Sequence, residues 1–474
     1  MTMTRRHFGT ALGGATLQAA PRAARAQTPN IVFILADDLG CGDLGCYNES
    51  SKINTANIDR LAREGVCFTD AHSGSAVCSP TRYGLLTGRY AWRTRLNRHV
   101  LRPYDPPLIE AGRLTLPGML QRHGYYTACI GKWHLGWDWP RMDDGMDFRF
   151  AIDGGPTTCG FDYYFGVDVP NYPPYCFIEN YRMVGLPTAR KTTRDLDGVP
   201  GPMLPGWKFE DILGKLTGKA VEQIGLRAQS KRPFFLYFPL TTPHEPIRPS
   251  ERFQGKSGIN AWADLMLETD WAVGEVLAAL DRNKLSENTL VIFAGDNGHT
   301  AYAGLKELLA SGPKPCGALR GYKADIYEGG HRVPYLARWP GKIRPSGTSP
   351  ELICLNDTMR TCASIIGAQL PNDAAEDSVD ILGDLLGNSA NRRLPRAVVH
   401  HSGNGVFAIR RGAWKLIPEQ PSFDTPGLVR PGELYNLAED VSEKRNVIRE
   451  QPAVVRDLTA LLEKYRREGR STPP

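Results

Sequence analysis

The chain has 474 residues, 41% of them hydrophobic and 23% charged, with a formal net charge of +6; this composition excludes disordered, collagen-like and disulfide-scaffold classes. The length exceeds the usual span of one domain, so one large unit with a smaller companion is expected, and a sizeable core is available. Gly (49) and Pro (36) imply many connecting loops, which suits an enzyme whose site is assembled on loops.

Residues 1–26 read as an export signal. Arg5-Arg6 precedes an uncharged, weakly apolar run from Phe8 to Ala20, and Ala24-Arg25-Ala26 offers an A-x-A cleavage pattern. The segment resembles a twin-arginine signal, which implies the twin-arginine translocase as a partner and a periplasmic or secreted chain starting near Gln27. An ordinary secretory signal, or a tail with two chance arginines, is the alternative. The run is too short and too rich in Gly and Ala to span a membrane, and no later segment approaches a span, so no integral anchor is expected. Removing its four arginines and no acid lowers the formal charge from +6 to +2, so nucleic acid is not an implied partner.

Ile31–Ala36 is a continuous apolar run, the pattern of a strand buried on both faces of a parallel sheet. A helix over about 57–64 stops at Gly65, where a left-handed cap is expected, and Val66–Phe68 resumes as strand. The strand–helix–strand alternation recurs with a helix over 119–124 and a strand over 126–130. Phe234–Phe238 forms another buried strand. A long helix over 261–281 then leads into Leu290–Ala294, which ends in Gly295-Asp296-Asn297-Gly298.

After about residue 390 the pattern changes. Val406–Ile409 and Trp414–Ile417 flank a turn as an antiparallel hairpin, Glu433–Leu437 is a further strand, and 454–466 forms an amphipathic helix with Val454, Leu458, Leu461, Leu462 and Tyr465 on one side. The expected fold is α/β: a large doubly wound, mixed or parallel sheet flanked by helices, over residues 27–390, with a small C-terminal α+β unit (antiparallel sheet plus helix) over 391–474.

The ten cysteines show no C-x-x-C pair and no Cys/His zinc spacing, so zinc is not expected. Mostly free, buried thiols are expected, with pairing left open. In open α/β sheets ligands sit outside the carboxyl ends of the strands, and two buried strands here end in Asp37-Asp38 and Asp296-Asn297. Three carboxylates and an amide carbonyl are hard oxygen donors suited to Ca²⁺ or Mg²⁺ rather than Zn²⁺; taken singly, either pair also reads as turn or N-cap residues.

The most specific signal is Cys78-Ser79-Pro80-Thr81-Arg82, followed by Leu85-Leu86-Thr87-Gly88-Arg89, with Gly124-Tyr125-Tyr126-Thr127-Ala128-Cys129-Ile130-Gly131-Lys132-Trp133-His134 further on. On these motifs the chain resembles the type I, formylglycine-dependent sulfatases, arylsulfatase-like members of the alkaline phosphatase superfamily. Asp37-Asp38-Leu39-Gly40, Pro243-His244-Glu245-Pro246, Asp296-Asn297-Gly298, Leu319–Lys323, Glu328-Gly329-Gly330 and Glu433–Leu437 follow in the family's order, so the resemblance covers nearly the whole mature chain. Cys41 in place of an aromatic, and Ala56 in place of Pro, are departures that carry no chemistry.

The resemblance implies that Cys78 is oxidised to formylglycine (3-oxoalanine) by a modifying machinery and that its hydrate attacks sulfur. It further implies that Asp37, Asp38, Asp296 and Asn297 ligate one Ca²⁺, which also contacts the attacking oxygen on residue 78. Arg82 would hold the hydrate, His134 would act as base for elimination, Lys132 and Lys323 would grip sulfate oxygens, and His244 with Lys323 would protonate the leaving alcohol. A cation-rich pocket is what a transferring sulfuryl group requires. The implied substrate is a sulfated small molecule or glycan, aryl or carbohydrate. A phosphodiesterase or phosphonate monoester hydrolase of the same superfamily, and an inactive binder of sulfated glycans with an unmodified Cys78, remain alternatives. Substrate choice is expected in the segment from about Trp137 to Gly206, where Trp137, Trp139, Tyr163, Tyr164, Tyr172 and Tyr175 either stack on substrate rings or pack the core.

Overall fold

The fold is that of a computed structural model, which describes residue 2 and residues 28–143, 145–302, 304–312, 314–388, 396–422, 425 and 427–473. All of the predicted export signal but residue 2, and the start of the C-terminal unit at 391–395, lie outside the described residues. Among the described residues no helix is long and apolar enough to cross a membrane.

A ten-stranded mixed sheet forms the centre, in the order Gly347–Ser349, Val66–Phe68, Tyr335–Arg338, Thr289–Gly295, Asn30–Ala36, Phe234–Pro239, Tyr126–Lys132, Tyr163–Val167, Ile178–Glu179, Arg182–Met183. The five strands from Thr289–Gly295 to Tyr163–Val167 run parallel. Alternation sorts their side chains onto two faces. Ile31, Phe33 and Leu35 join one apolar cluster with Tyr83, Leu86, Met119, Leu120 and Met359, while Val32, Ile34 and Ala36 join another with Ile58, Leu61, Ile224, Met266 and Val273. Helices therefore cover both faces, the reason the central strands read as unbroken apolar runs.

The C-terminal sheet has the order Ala397–His401, Phe407–Arg411, Trp414–Ile417, Glu433–Asn436, all antiparallel. Its Val399, Ile409, Leu416 and Leu434 pack on Leu458 and Leu462 of the helix Pro452–Glu468 and on Tyr90 of the large unit. The amphipathic stripe on this helix is the one its sequence spacing predicts.

Two expectations need correction. The helix predicted over 119–124 is Leu116–Arg122, opened by Thr115, whose side chain accepts from the Gly118 amide. Gly65 is not a left-handed cap: its φ is −147° and ψ −141°. Glycine is needed there because a Cβ would lie 2.0 Å from the carbonyl oxygen of Ala337 in a neighbouring strand. Gly65→Ala should therefore push two backbones apart and destabilise the chain by about 1–3 kcal/mol, read as a lowered denaturant midpoint; an unchanged midpoint would contradict the close-approach account.

Candidate active site

Parallel strands deliver their carboxyl ends to one edge of the sheet, and register decides what meets there. Ala36 pairs with Gly295, so Asp37-Asp38 and Asp296-Asn297 emerge side by side. The Asp38 amide donates to Asp296 Oδ1 at 3.1 Å and Asn297 Nδ2 donates to Asp38 Oδ1 at 2.9 Å. Two places further along the sheet, Tyr126–Lys132 ends on Lys132 and turns into His134, and the chain leaving Phe234–Pro239 carries His244. Asp38 (φ 67°) and His134 (φ 54°) hold left-handed backbone conformations, strain of the kind that collects at working sites.

The second contributor is the helix Cys78–Thr87, every residue of which is buried. Cys78 opens it, so the positive end of the helix dipole lies at that side chain. Cys78 Sγ lies 3.4 Å from Asp37 Oδ1 and 4.0 Å from Asp38 Oδ1. One turn on, Arg82 donates through Nη2 to Asp296 Oδ2 at 2.8 Å, lies 3.5 Å from Asp37 Oδ1, and donates through Nη1 to the Lys132 carbonyl at 3.1 Å. Lys132 Nζ contacts Asp37 Oδ2 at 2.6 Å and Lys323 Nζ contacts Asp38 Oδ2 at 2.7 Å. Three buried carboxylates thus face three cations. Removing one partner would strand the other charge in a dry site.

These charges set the protonation states. Burial raises the Asp37 carboxyl, but Lys132, His244, Arg82 and Lys323 together hold it well below the usual range. Asp296 is pushed up to about 7 by burial and by Asp37 beside it, despite Arg82 and Lys132. Burial, then Asp37, raises the Cys78 thiol, so it is not a thiolate at neutral pH. Lys323 is raised well above its usual value because Asp38 and its other anionic neighbours outweigh burial. Burial, Lys132 and Arg82 hold His134 well below its usual value, and burial with Lys323 lowers His244 to about 4.

Hydrogen bonds fix the tautomers of both neutral imidazoles. Carbonyl oxygens only accept, so His134 Nε2 donates to Leu101 O at 3.1 Å and His244 Nδ1 donates to Glu245 O at 2.7 Å. The opposite nitrogens carry lone pairs: His134 Nδ1 is buried with no partner, and His244 Nε2 lies 3.9 Å from Asp38.

The residues fit a hard divalent cation. Asp37, Asp38, Asp296 and Asn297 are fully buried, their donors are all oxygen, and Asn297 Oδ1 is an acceptor with no hydrogen-bond partner. Asp37, Asp38, Cys78 and His244 also bring ligand atoms within 4.8 Å of one another.

Above this cluster opens a cavity of about 260 Å³ lined by Cys78, His134, His244 and Lys323 and, at its walls, by Tyr172, Asn171, His99, Tyr302 and the C-terminal Gly403-Asn404. All ten residues singled out from the sequence lie at this one edge. Of the six aromatics, Tyr172 alone lines the cavity; Trp137, Trp139, Tyr164 and Tyr175 are core, and Tyr163 bonds Glu179. His99, Asn171, Tyr302 and Asn404 carried no motif. Asp168, which accepts from the His134 amide at 3.2 Å and from Trp137 Nε1 at 3.2 Å, follows the strand Tyr163–Val167, and the strand-end rule that found Asp37 would have found it.

A protein-family model described as Sulfatase matches residues 29–368. A Bacteroides thetaiotaomicron N-acetylgalactosamine-6-O-sulfatase is 36% identical, over 92% of this chain and 93% of the relative. Human arylsulfatase A is 34% identical, over 90% and 84% respectively. A solved sulfatase from the glycosaminoglycan metabolism of B. thetaiotaomicron superposes with a TM-score of 0.83 at 35% identity, over 93% of this chain and 99% of that one.

The folded His244 pKa of about 4 lies below the unfolded value of about 6.5. Between these the unfolded chain binds a proton that the folded chain does not, so stability falls as pH drops from about 6.5 toward 4, by at most about 3 kcal/mol from this group. Urea unfolding across that window should show a shallower pH slope for His244→Gln than for the wild type; equal slopes would contradict the assignment.

Proposed function

The chain belongs to the sulfatase family and is a sulfuric ester hydrolase, and from that premise we propose that it removes a 6-O-sulfate from an N-acetylgalactosamine-type sugar, using Cys78 matured to formylglycine and one Ca²⁺ held by Asp37, Asp38, Asp296 and Asn297. The observation that carries the reading is the meeting of Cys78 with three carboxylates and three cations at the floor of a cavity of about 260 Å³. The substrate class is taken from the acetylgalactosamine sulfatases to which the chain is similar. The units are proposed as residues 27–390, catalytic, and 391–474, C-terminal.

In this reading Asp37, Asp38, Asp296 and Asn297 would hold a Ca²⁺ whose positive charge would favour both the sulfuryl oxygens and ionisation of the attacking hydroxyl. A formylglycine hydrate at position 78 would supply that hydroxyl and, on the same carbon, a second one through which sulfate could be expelled. An ester on a plain side chain at position 78 would have no second hydroxyl with which to expel sulfate, which is why the reading calls for the hydrate.

The chain's other residues act around that atom. Arg82 holds Asp296 by a hydrogen bond and Asp37 by an ion pair and balances their charge. Lys132 and Lys323, protonated against Asp37 and Asp38, are the groups on hand for sulfate oxygens once a divalent cation shares those carboxylates. His134 Nδ1 holds the lone pair that takes the proton of the second hydroxyl. Lys323 brings a proton for the leaving sugar oxygen, and the His244 Nε2 lone pair sits beside it to accept a hydrogen bond or relay that proton. Export by the twin-arginine route is proposed on Arg5-Arg6 and Ala24-Arg25-Ala26; replacing both Arg5 and Arg6 with Lys should leave the enzyme in the cytoplasm, and continued export would refute it.

The peptide containing Cys78, from protein made with its modifying machinery, should show a mass in which sulfur is exchanged for oxygen with loss of hydrogen. Cys78→Ala should fold, keep its calcium affinity and lose hydrolysis of 6-O-sulfated N-acetylgalactosamine by at least about a thousandfold, the scale seen when a nucleophile is removed. Wild-type turnover in that variant, or a preference for phosphate diesters over sulfate esters, would instead favour the phosphodiesterase reading.

A further inference from the structure

Three histidines outside the catalytic cavity close on one another where the C-terminal sheet meets the large unit. His72 ends the strand Ala71–His72, His331 ends the short helix Glu328–His331, and His400 lies in the strand Ala397–His401. All three are fully buried, and each brings a ligand nitrogen within 4.8 Å of the other two. We propose that His72, His331 and His400 form a second, structural metal site for an imidazole-preferring divalent ion, Zn²⁺ in chemical class, separate from the oxygen-donor site at the strand ends.

The case rests on which nitrogens are already engaged. His72 Nε2 lies 2.9 Å from Asp70 Oδ1, and His331 Nε2 lies 3.0 Å from the Ile326 carbonyl. A carboxylate or a backbone carbonyl behind the outer nitrogen is the usual support of a metal-bound imidazole, and it favours the tautomer that metal binding requires. With both protons on Nε2, the two Nδ1 lone pairs face each other at 3.1 Å, a repulsive pairing that a shared cation relieves, at a spacing close to that of two ligands on one tetrahedral ion.

His400 supplies the second, independent observation. Neither of its nitrogens has a hydrogen-bond partner although the ring is fully buried. Its ring stacks on His331 at 3.8 Å and 10° and lies 4.9 Å from His72. Parallel rings do not aim their lone pairs at one point, so capture of an ion by both requires the His400 ring to turn about its Cβ–Cγ bond. With neither nitrogen held, no hydrogen bond opposes that turn.

Two cations press on the same Nε2 edges and, having only protons to donate, must be drawn off by neighbouring carboxylates for the Nε2 protons to stay. Glu328 and Asp70 stand behind the Nε2 edges, Arg410 Nη1 lies 3.0 Å from His72 Nε2, and Lys415 Nζ lies 3.1 Å from His331 Nε2. Arg410 is tied to Asp70, Lys415 to Glu328 and Glu443, and Arg332 to Glu328. The ion would cross-link the strand that leads into Gly403-Asn404, the C-terminal wall of the catalytic cavity, to the core of the large unit. The competing arrangement puts a proton on His331 Nδ1, donated to His72, with Lys415 bonded to His331 Nε2, and needs no metal.

The test uses the full mature enzyme saturated with Ca²⁺, exposed to a small excess of Zn²⁺ and desalted. About one zinc per chain should remain by elemental analysis, Co²⁺ in its place should show the visible bands of tetrahedral nitrogen ligation, and zinc loading should raise the thermal midpoint. His400→Phe, which keeps a stacking ring and removes both nitrogens, should lose the zinc and the thermal shift while its calcium content is unchanged. Wild-type protein with zinc no higher than background, or a His400→Phe variant that retains as much, overturns the proposal in favour of the metal-free hydrogen-bonded latch. Should that variant fail to fold, zinc-edge anomalous diffraction from the wild type decides: a peak among the three rings supports the site, and its absence overturns it. None of these readouts involves sulfate hydrolysis, so their failure leaves the catalytic proposal standing.

Discussion

Three carboxylates packed into the dry end of a parallel sheet would repel one another beyond what folding tolerates unless opposite charge lies within contact, and most of the architecture can be derived from that requirement. Asp37, Asp38 and Asp296 are brought together by strand register rather than by mutual attraction. Arg82, Lys132 and Lys323 are the answer to them, each at 2.6 to 2.8 Å from its partner. Such a set is costly to bury and more costly to leave half-paired. Its balance also explains how the site would serve sulfate. With Asp37 and Asp38 ionised, Asp296 poised near 7 and three positive groups beside them, a divalent cation would leave a net positive floor beneath the cavity, the condition under which a sulfate ester is attracted and its developing negative charge stabilised.

The rigid parts of the molecule make that balance reproducible. Two faces of helices clamp the central strands, so the strand ends cannot drift. A helix without a single exposed residue carries Cys78 and Arg82 one turn apart. The C-terminal unit is more than an appendage, since Gly403-Asn404 closes one wall of the cavity and Tyr90 of the large unit sits in the C-terminal core. The cavity is therefore walled by residues on both sides of that junction, whereas the charged cluster lies at the sheet edge.

How much of this could be read from the sequence depended on locality. The buried strands announced themselves because burial on both faces leaves no polar alternation, and the acidic pairs stood out because they interrupt such runs abruptly. The Cys78 to Arg82 motif is contiguous, and so was legible. Gly65 was misread because a glycine after a helix has two physical uses, a left-handed cap and a close approach, and only the partner strand at Ala337 distinguishes them. The aromatic-rich segment after Trp137 was equally ambiguous: the same Trp and Tyr serve a core or a binding wall, and Tyr172 is separated from Tyr175 only by tertiary placement. His99, Asn171, Tyr302 and Asn404 left no local trace, being single residues on four loops. The three histidines at positions 72, 331 and 400 lack any spacing pattern for the same reason, since each arrives on a different element.

The central claim is that the carboxylates at the strand ends exist to hold a cation against the group at position 78. A crystal structure of the mature enzyme grown with Ca²⁺ and an unreactive sulfate ester analogue tests it most directly. The account predicts one calcium ion bound by Asp37, Asp38, Asp296 and the Asn297 amide oxygen, with the analogue's sulfate beside residue 78 and within reach of Lys132 and Lys323. Calcium bound elsewhere, or the lysines still paired with the carboxylates in an enzyme that hydrolyses sulfate esters in the same crystals, would contradict it.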